Sequence, residues 1–198
     1  MTAESDSSDM TQGFRRTATG RIVVRFDAHE KHVLTSLAEQ LLDIVAPPTN
    51  VNADPLAVEL GLEDLDTGVD LSGMGLLEER DPVTQRLFPD AYEQPADAME
   101  FRRFTEMGLR QAKTAAARTM LDSCASSGEK ITLNRDQAMA WLTALNDIRL
   151  ALSVHLGIET SADAERLAAE PADDETRATY DLYDYLAFLQ ETLVRAVR

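Results

Sequence analysis

The segment Asn134–Leu156, containing the stretch WLTALNDIRLALSVHL, constrains the fold more than any other part of the chain. At 100° per residue, Trp141, Leu145, Ile148 and Leu152 lie within about 60° of one another on a helix, while Met139 and Leu150 lie on the far side. A helix that is apolar nearly all round must be enclosed by others, so this segment is predicted to be central. Asn134 is its predicted N-cap and Gly157 its C-terminal stop. Its middle nevertheless carries Asn146, Asp147 and Arg149. Asp147 falls among Ala140, Ala144 and Ala151, a strip suited to close packing, and Arg149 falls beside Leu142 and Leu145. The two charges stand about 200° apart and cannot pair with each other. Buried and unpaired, either would cost several kcal/mol, so each needs a partner from another element.

Three further long helices are predicted around it. In DAHEKHVLTSLAEQLLDIVAPP, Asp27 and Glu30 form a capping box, and Val33, Leu34, Leu37, Leu41, Ile44 and Val45 make an apolar stripe that Pro47 and Pro48 end. In DAMEFRRFTEMGLRQAKTAAARTMLDSCAS, the packing face is read as Phe101, Phe104, Thr105, Gly108, Ala112, Ala115, Ala116 and Thr119. The opposite face holds Arg103, Glu106, Arg110 and Lys113. The last helix runs from about Asp173 to Val197, with Tyr183, Leu186, Leu189, Leu193 and Val197 as its core stripe. Two Asp-Pro steps, Asp54-Pro55 and Asp81-Pro82, open short helices on either side of an acidic loop. FRRTATGRIVVRF reads as a hairpin turning at Thr17 to Gly20, which must lie on the helices because an isolated hairpin is marginal. The predicted architecture is mainly α: a helical, bundle-like single domain over residues 13–198 with a short N-terminal β-hairpin. Residues 1–12 are predicted to be a disordered tail.

Charge and composition narrow the function classes. A net charge of −16 opposes direct nucleic-acid binding, which depends on Lys and Arg neutralising phosphate. No window approaches the ~18 apolar residues of a membrane span. The first residues carry no basic-then-apolar signal, and the chain has one cysteine, so a cytoplasmic home is expected. Against the acidic background, residues 102–118 carry five basic residues and one acid. This ridge, with Arg102, Arg103, Arg110 and Lys113, is a candidate docking surface for an acidic partner. The competing and favoured reading is a ridge satisfied internally by nearby acids. The same helix offers partners for the central triplet, giving a predicted structural polar network of Glu100, Arg103, Glu106, Asn146, Asp147 and Arg149.

Catalytic constellations are sparse. His29 and His32 share a helix face but lack a third convergent ligand in sequence, so no metal and no other cofactor is predicted. LSGMG lacks the Lys of a phosphate-cradling loop. Cys124 is a candidate redox thiol, but its place near a helix C-terminus disfavours the thiolate, so an ordinary thiol is the favoured reading.

DPVTQRLFPDAY (Asp81 to Tyr92), EFRRFTE (Glu100 to Glu106) and LNDIRL (Leu145 to Leu150) together resemble the actinobacterial AosR-like family, with weaker matches at Phe14 and at LQETLV (Leu189 to Val194). The resemblance covers nearly the whole chain. It implies a cytoplasmic, mainly helical protein, often encoded near a ClpS adaptor and a JAMM-type peptidase. It also implies oxidative-stress regulation of gene expression through a sigma-factor partner. The family's redox role is associated with a Cys-x-x-x-Cys near the N-terminus, whereas residues 1–13 here have no cysteine, so redox sensing by that route does not transfer. His155 stands where an arginine is expected. The resulting expectation is a non-enzymatic regulator acting through protein–protein contacts, with a homodimer open. The alternative is an adaptor or scaffold for a neighbouring protease or sulfur-metabolism enzyme.

Overall fold

The computed structural model describes residues 13–47, 81–170 and 172–198, with the side chains of residues 95 and 103 outside that description. The predicted tail, the Asp54-Pro55 helix and the acidic loop between the two Asp-Pro steps all lie outside the described residues. Within them the chain is mainly α, as expected. The described residues form six helices, α1 (Ala28–Val45), α2 (Pro82–Leu87), α3 (Pro95–Cys124), α4 (Arg135–His155), α5 (Ser161–Ala169) and α6 (Asp174–Val197), with two strands before α1 and one between α3 and α4.

Local signals place most of the helix ends. Asp27 accepts from the Glu30 amide at 2.8 Å while the Glu30 carboxylate accepts from the Asp27 amide at 2.8 Å, completing the predicted box on α1. Asn134 and Gln137 form the same reciprocal pair on α4. Each such cap is worth about 1 kcal/mol. Asp81 takes the Val83 and Thr84 amides ahead of Pro82 on α2. Gly157 adopts φ +63° after α4, and the chain closes by Gly157 N–H to Val154 C=O and Ile158 N–H to Ser153 C=O. That double closure turns the chain sharply and buries Ile158 against the end of α4.

The hairpin is present but is not alone. Strands β1 (Arg15–Arg16) and β2 (Ile22–Arg25) are joined by β3 (Lys130–Leu133), antiparallel to β2 with Ile22 opposite Leu133 and Val24 opposite Ile131. Sequence reading takes SSGEK, Ser126 to Lys130, as the end of a helix and assigns 131–133 to no element. The third strand alternates as a half-buried strand should, with Ile131 and Leu133 buried and Lys130 and Thr132 exposed. Three strands with one apolar face give the hairpin the neighbour it needs. That face lies on α4. Phe14 and Phe26 meet the Trp141 indole at 5.5 and 6.0 Å between ring centroids, the first edge-on and the second stacked. Gly13 lies against the Thr192 side chain of α6, so close that a Cβ would sit 2.5 Å from it.

The central placement of α4 holds: it packs on α1, α2, α3, α6 and β3. Trp141, Ala144, Leu145, Asp147 and Ile148 are buried within it. The last helix is stapled to this core by Leu186, Leu189 and Leu193. Helix α5, absent from the sequence reading, has a Thr160–Asp163 capping box and no buried residue, so its signal is purely local.

The facing of α3 is the main correction. Phe104 is 77% exposed and Phe101 40%, and Gly108, Ala112 and Ala115 are exposed as well. Of the predicted packing face, Ala116 alone is buried, whereas Glu106 and Arg110 from the predicted outer face are buried. The helix is rotated so that its polar side meets α1 and α4. Magnitudes account for this. Turning Phe104 inward would gain about 1.5–3 kcal/mol. It would strand Asp147 without its partner, at about 3–5 kcal/mol. It would also take Arg110 from the last carbonyls of α1, those of Ile44 and Ala46.

Candidate functional site

The central triplet splits three ways. Asp147 is 1% exposed and accepts from Lys113 Nζ of α3 at 2.6 Å. Burial pushes its carboxyl above the ordinary carboxylate range, with the Lys113 hydrogen bond and charge opposing. Arg149 turns to α6, donating from Nη1 to Gln190 Oε1 at 2.6 Å and from Nη2 to the Tyr183 hydroxyl at 3.1 Å. Its guanidinium also lies 4.8 Å from the Tyr183 ring centroid. Asn146 is exposed.

The predicted network is therefore divided. The structure does join α3 to α4 through a buried ion pair, but the cation is Lys113 rather than a member of the Arg103–Glu106–Arg110 group. Arg149 takes neutral partners on α6, and Glu100 stands exposed, away from both charges. The side chain of Arg103 lies outside the described residues. Tyr183 and Gln190 were missed as partners. Their signal was available in principle, because residues seven apart on one helix stand on one face, two turns apart.

The basic ridge is occupied from within. Arg110 makes a buried ion pair with Glu106 at 2.9 Å, four residues earlier. It also donates to the Ile44 and Ala46 carbonyls at 3.1 and 3.4 Å. Helix α1 ends there with no basic residue in its last turn, so Arg110 satisfies carbonyls the helix itself leaves open. Phe88 caps the arrangement, its centroid 4.5 Å from the Arg110 guanidinium and 5.6 Å from Lys113 Nζ. Arg102 pairs with Asp90 at 3.0 Å and is mostly buried. Arg102, Arg110 and Lys113 thus each have an acid of their own and do not form an open surface.

What faces solvent on α3 is its other side. Tyr92 packs edge-on against Phe101 at 5.6 Å, and Tyr92, Asp97, Glu100, Phe101 and Phe104 line a shallow hollow of about 370 Å³. Leu109, further along α3, is also 48% exposed. Exposed aromatic side chains beside two carboxylates form a surface suited to an apolar segment carrying positive charge.

Cys124 is buried at the end of α3, and burial pushes its thiol up to about 11, although Lys31 and Thr35 pull the other way. Thiolate is the reacting species, so alkylation by iodoacetamide near pH 8 should run about 10²-fold slower than for a free cysteine peptide. Labelling of the folded protein at the peptide rate would overturn this account. His29 and His32 are both exposed, and among the described residues no group of three His, Cys, Asp or Glu side chains is placed to hold a metal ion. No helix among the described residues is long and apolar enough to cross a membrane.

These features define a class: a mainly α domain whose buried charges fasten helices together and whose aromatic chemistry is displayed outward. The chain belongs to the family described as Domain of unknown function (DUF2017), whose model matches residues 11–197. It is 33% identical over 150 residues to the Putative oxidative stress regulator AosR of Mycobacterium leprae (strain TN), which covers 69% of this chain and 67% of that relative. It is 35% identical over 129 residues to the Oxidative stress regulator AosR of Mycobacterium tuberculosis (strain ATCC 25618 / H37Rv), covering 58% of this chain and 57% of the relative. The chain thus spans little more than half the length of the second relative. No solved structure matches it.

Proposed function

We propose that this protein is a non-enzymatic regulator of the oxidative-stress response that acts in the cytoplasm through protein–protein contacts. Its partner is a sigma factor, as the family resemblance implies, and it presents a basic, apolar segment to the outward face of α3. The observation that carries this reading is the exposed aromatic face, Tyr92, Phe101 and Phe104, flanked by Asp97 and Glu100. The two mycobacterial relatives, both named as oxidative stress regulators, support the biological setting. With Cys124 the sole cysteine of the 198 residues, and buried, an intramolecular disulfide among them plays no part in the proposal.

The test is binding of the purified chain to the purified sigma factors of its own genome, comparing wild type with Phe101→Ser/Phe104→Ser. Both side chains are exposed enough for the variant to keep its fold. Loss of at least about 2 kcal/mol of binding, roughly 30-fold in Kd, is expected for anchors of this kind. Equal binding by both proteins would remove the α3 face from the proposal. No binding to any sigma factor, with binding instead to a protease adaptor or JAMM-type peptidase, would replace regulation by scaffolding.

A further inference from the structure

A second concavity borders α4 along Asn146, Arg149, Leu150 and Ser153, where the triplet's other charge faces it. Arg149, Arg86, Asn146, Ser161 and Tyr183 line a cavity of about 250 Å³ together with the apolar side chains of Leu150, Ile158 and Ala164. It runs into a larger one of about 560 Å³ that shares Arg86, Leu150, Ser153, Ile158 and Glu159. The combined space is of the size that small-molecule sites occupy. The turn at Gly157 creates it, by bringing Ile158 and the start of α5 back over the end of α4.

The cleft carries two cations against one acid. A guanidinium has five N–H donors. Arg149 spends one on Gln190 and one on Tyr183, both neutral acceptors, and its Nε is buried with no hydrogen-bond partner. Arg86 is exposed at the other wall. Glu159 also lines the cleft, yet among the described residues no carboxylate lies within ion-pair distance of either guanidinium. In α3, Arg102, Arg110 and Lys113 each have a carboxylate partner. On a chain of net charge −16, Arg149 and Arg86 bring two cations without an ion pair to one hollow. A half-buried arginine held by neutral groups is positioned by the protein but not neutralised by it, which leaves the second N–H of each Nη for an anion.

We propose that this cleft binds a small organic anion, its carboxylate or phosphate held by Arg149 and Arg86 and its apolar body laid on Leu150, Ile158 and Ala164. This inference is independent of the regulatory reading: the cleft and the α3 face share no residue. Tyr183 and Gln190 orient the Arg149 guanidinium, and the Asn146 amide and Ser161 hydroxyl complete the polar wall.

The test is a two-dimensional ¹H–¹⁵N NMR titration of the full chain at fixed ionic strength with benzoate, with inorganic phosphate and, as the neutral control, with benzamide. Saturable shifts of the Asn146, Ile158 and Ser161 amides are expected with benzoate or phosphate and not with benzamide. Arg86→Gln should weaken anion binding about tenfold, the loss of one charge-assisted hydrogen bond. Arg86 is exposed on a short helix, so that variant reports on the site without threatening the fold. Arg149→Gln should abolish the shifts. Failure of both anions to saturate, equal shifts with benzamide, or unchanged affinity in Arg86→Gln would each overturn the proposal.

Discussion

Replacing Asp147 with alanine is expected to lower the midpoint of thermal unfolding by roughly 6–20 °C. The estimate follows from about 3–5 kcal/mol for removing one partner of a buried ion pair, at about 2–4 °C per kcal/mol for a domain of this size. The Lys113 side chain is 16% exposed, so its ammonium would be left largely desolvated with no carboxylate. The pair is not a large net stabiliser for that reason, because most of the loss is the stranded charge. Replacing both partners by apolar residues of similar size, Asp147→Leu with Lys113→Met, should therefore stay within a few degrees of wild type. Differential scanning calorimetry of the single and double variants decides the matter. A shift below about 2 °C in Asp147→Ala would mean that the pair does not hold α3 against α4.

The pH dependence follows from the same burial. The Asp147 carboxyl is raised above its ordinary value. The native state then keeps its proton at pH values where the unfolded chain has released it. Stability from this group is gained as pH falls through the folded pKa, and the gain is complete below the unfolded value of about 4. Wild type should gain on Asp147→Asn as the pH is lowered from about 7 to about 4. A gap moving the other way would show that the Lys113 charge outweighs burial.

The parts of this fold that were legible in the sequence are those written locally. The capping box of Asp27 and Glu30, the Asn134 cap and the Gly157 stop each depend on residues within a few positions. The central place of α4 is legible in the stripe of Trp141, Leu145 and Ile148, which is buried, although Met139 on the far side is 49% exposed. The facing of α3 was not. Helical spacing points to the face of Phe101, Phe104 and the small residues as core, but the deciding demands come from elsewhere: the open carbonyls of Ile44 and Ala46, and the Asp147 carboxylate. Neither demand is visible within the helix. The same limit governs the candidate sites. Exclusion of an internal Asp147–Arg149 pair followed from helix geometry alone. That Arg149 would meet Gln190 and Tyr183 and border a hollow with Arg86 depended on where α2, α5 and α6 come to rest.

Trp141→Ala is expected to cost about 3–5 kcal/mol, the range for removing a large buried aromatic side chain. Trp141 is fully buried where α4 meets the sheet, and it joins Phe14 of the hairpin entry to Phe26 at the start of α1. Its removal opens a cavity between the sheet and α4. Phe14 is further tied to α6 by its amide, which donates to the Thr192 hydroxyl at 3.1 Å, so the loss reaches the last helix as well. Trp141→Phe should behave differently. The indole Nε1–H is buried without an acceptor, a donor whose desolvation the native state carries uncompensated. Phenylalanine removes that donor while keeping a ring for Phe14 and Phe26 to pack on. Its cost should stay below about 1.5 kcal/mol despite the smaller volume. Urea unfolding of the two variants separates volume from polarity. If Phe proves as damaging as Ala, the indole nitrogen holds a partner, such as a bound water, and the junction of sheet and helix is polar as well as apolar.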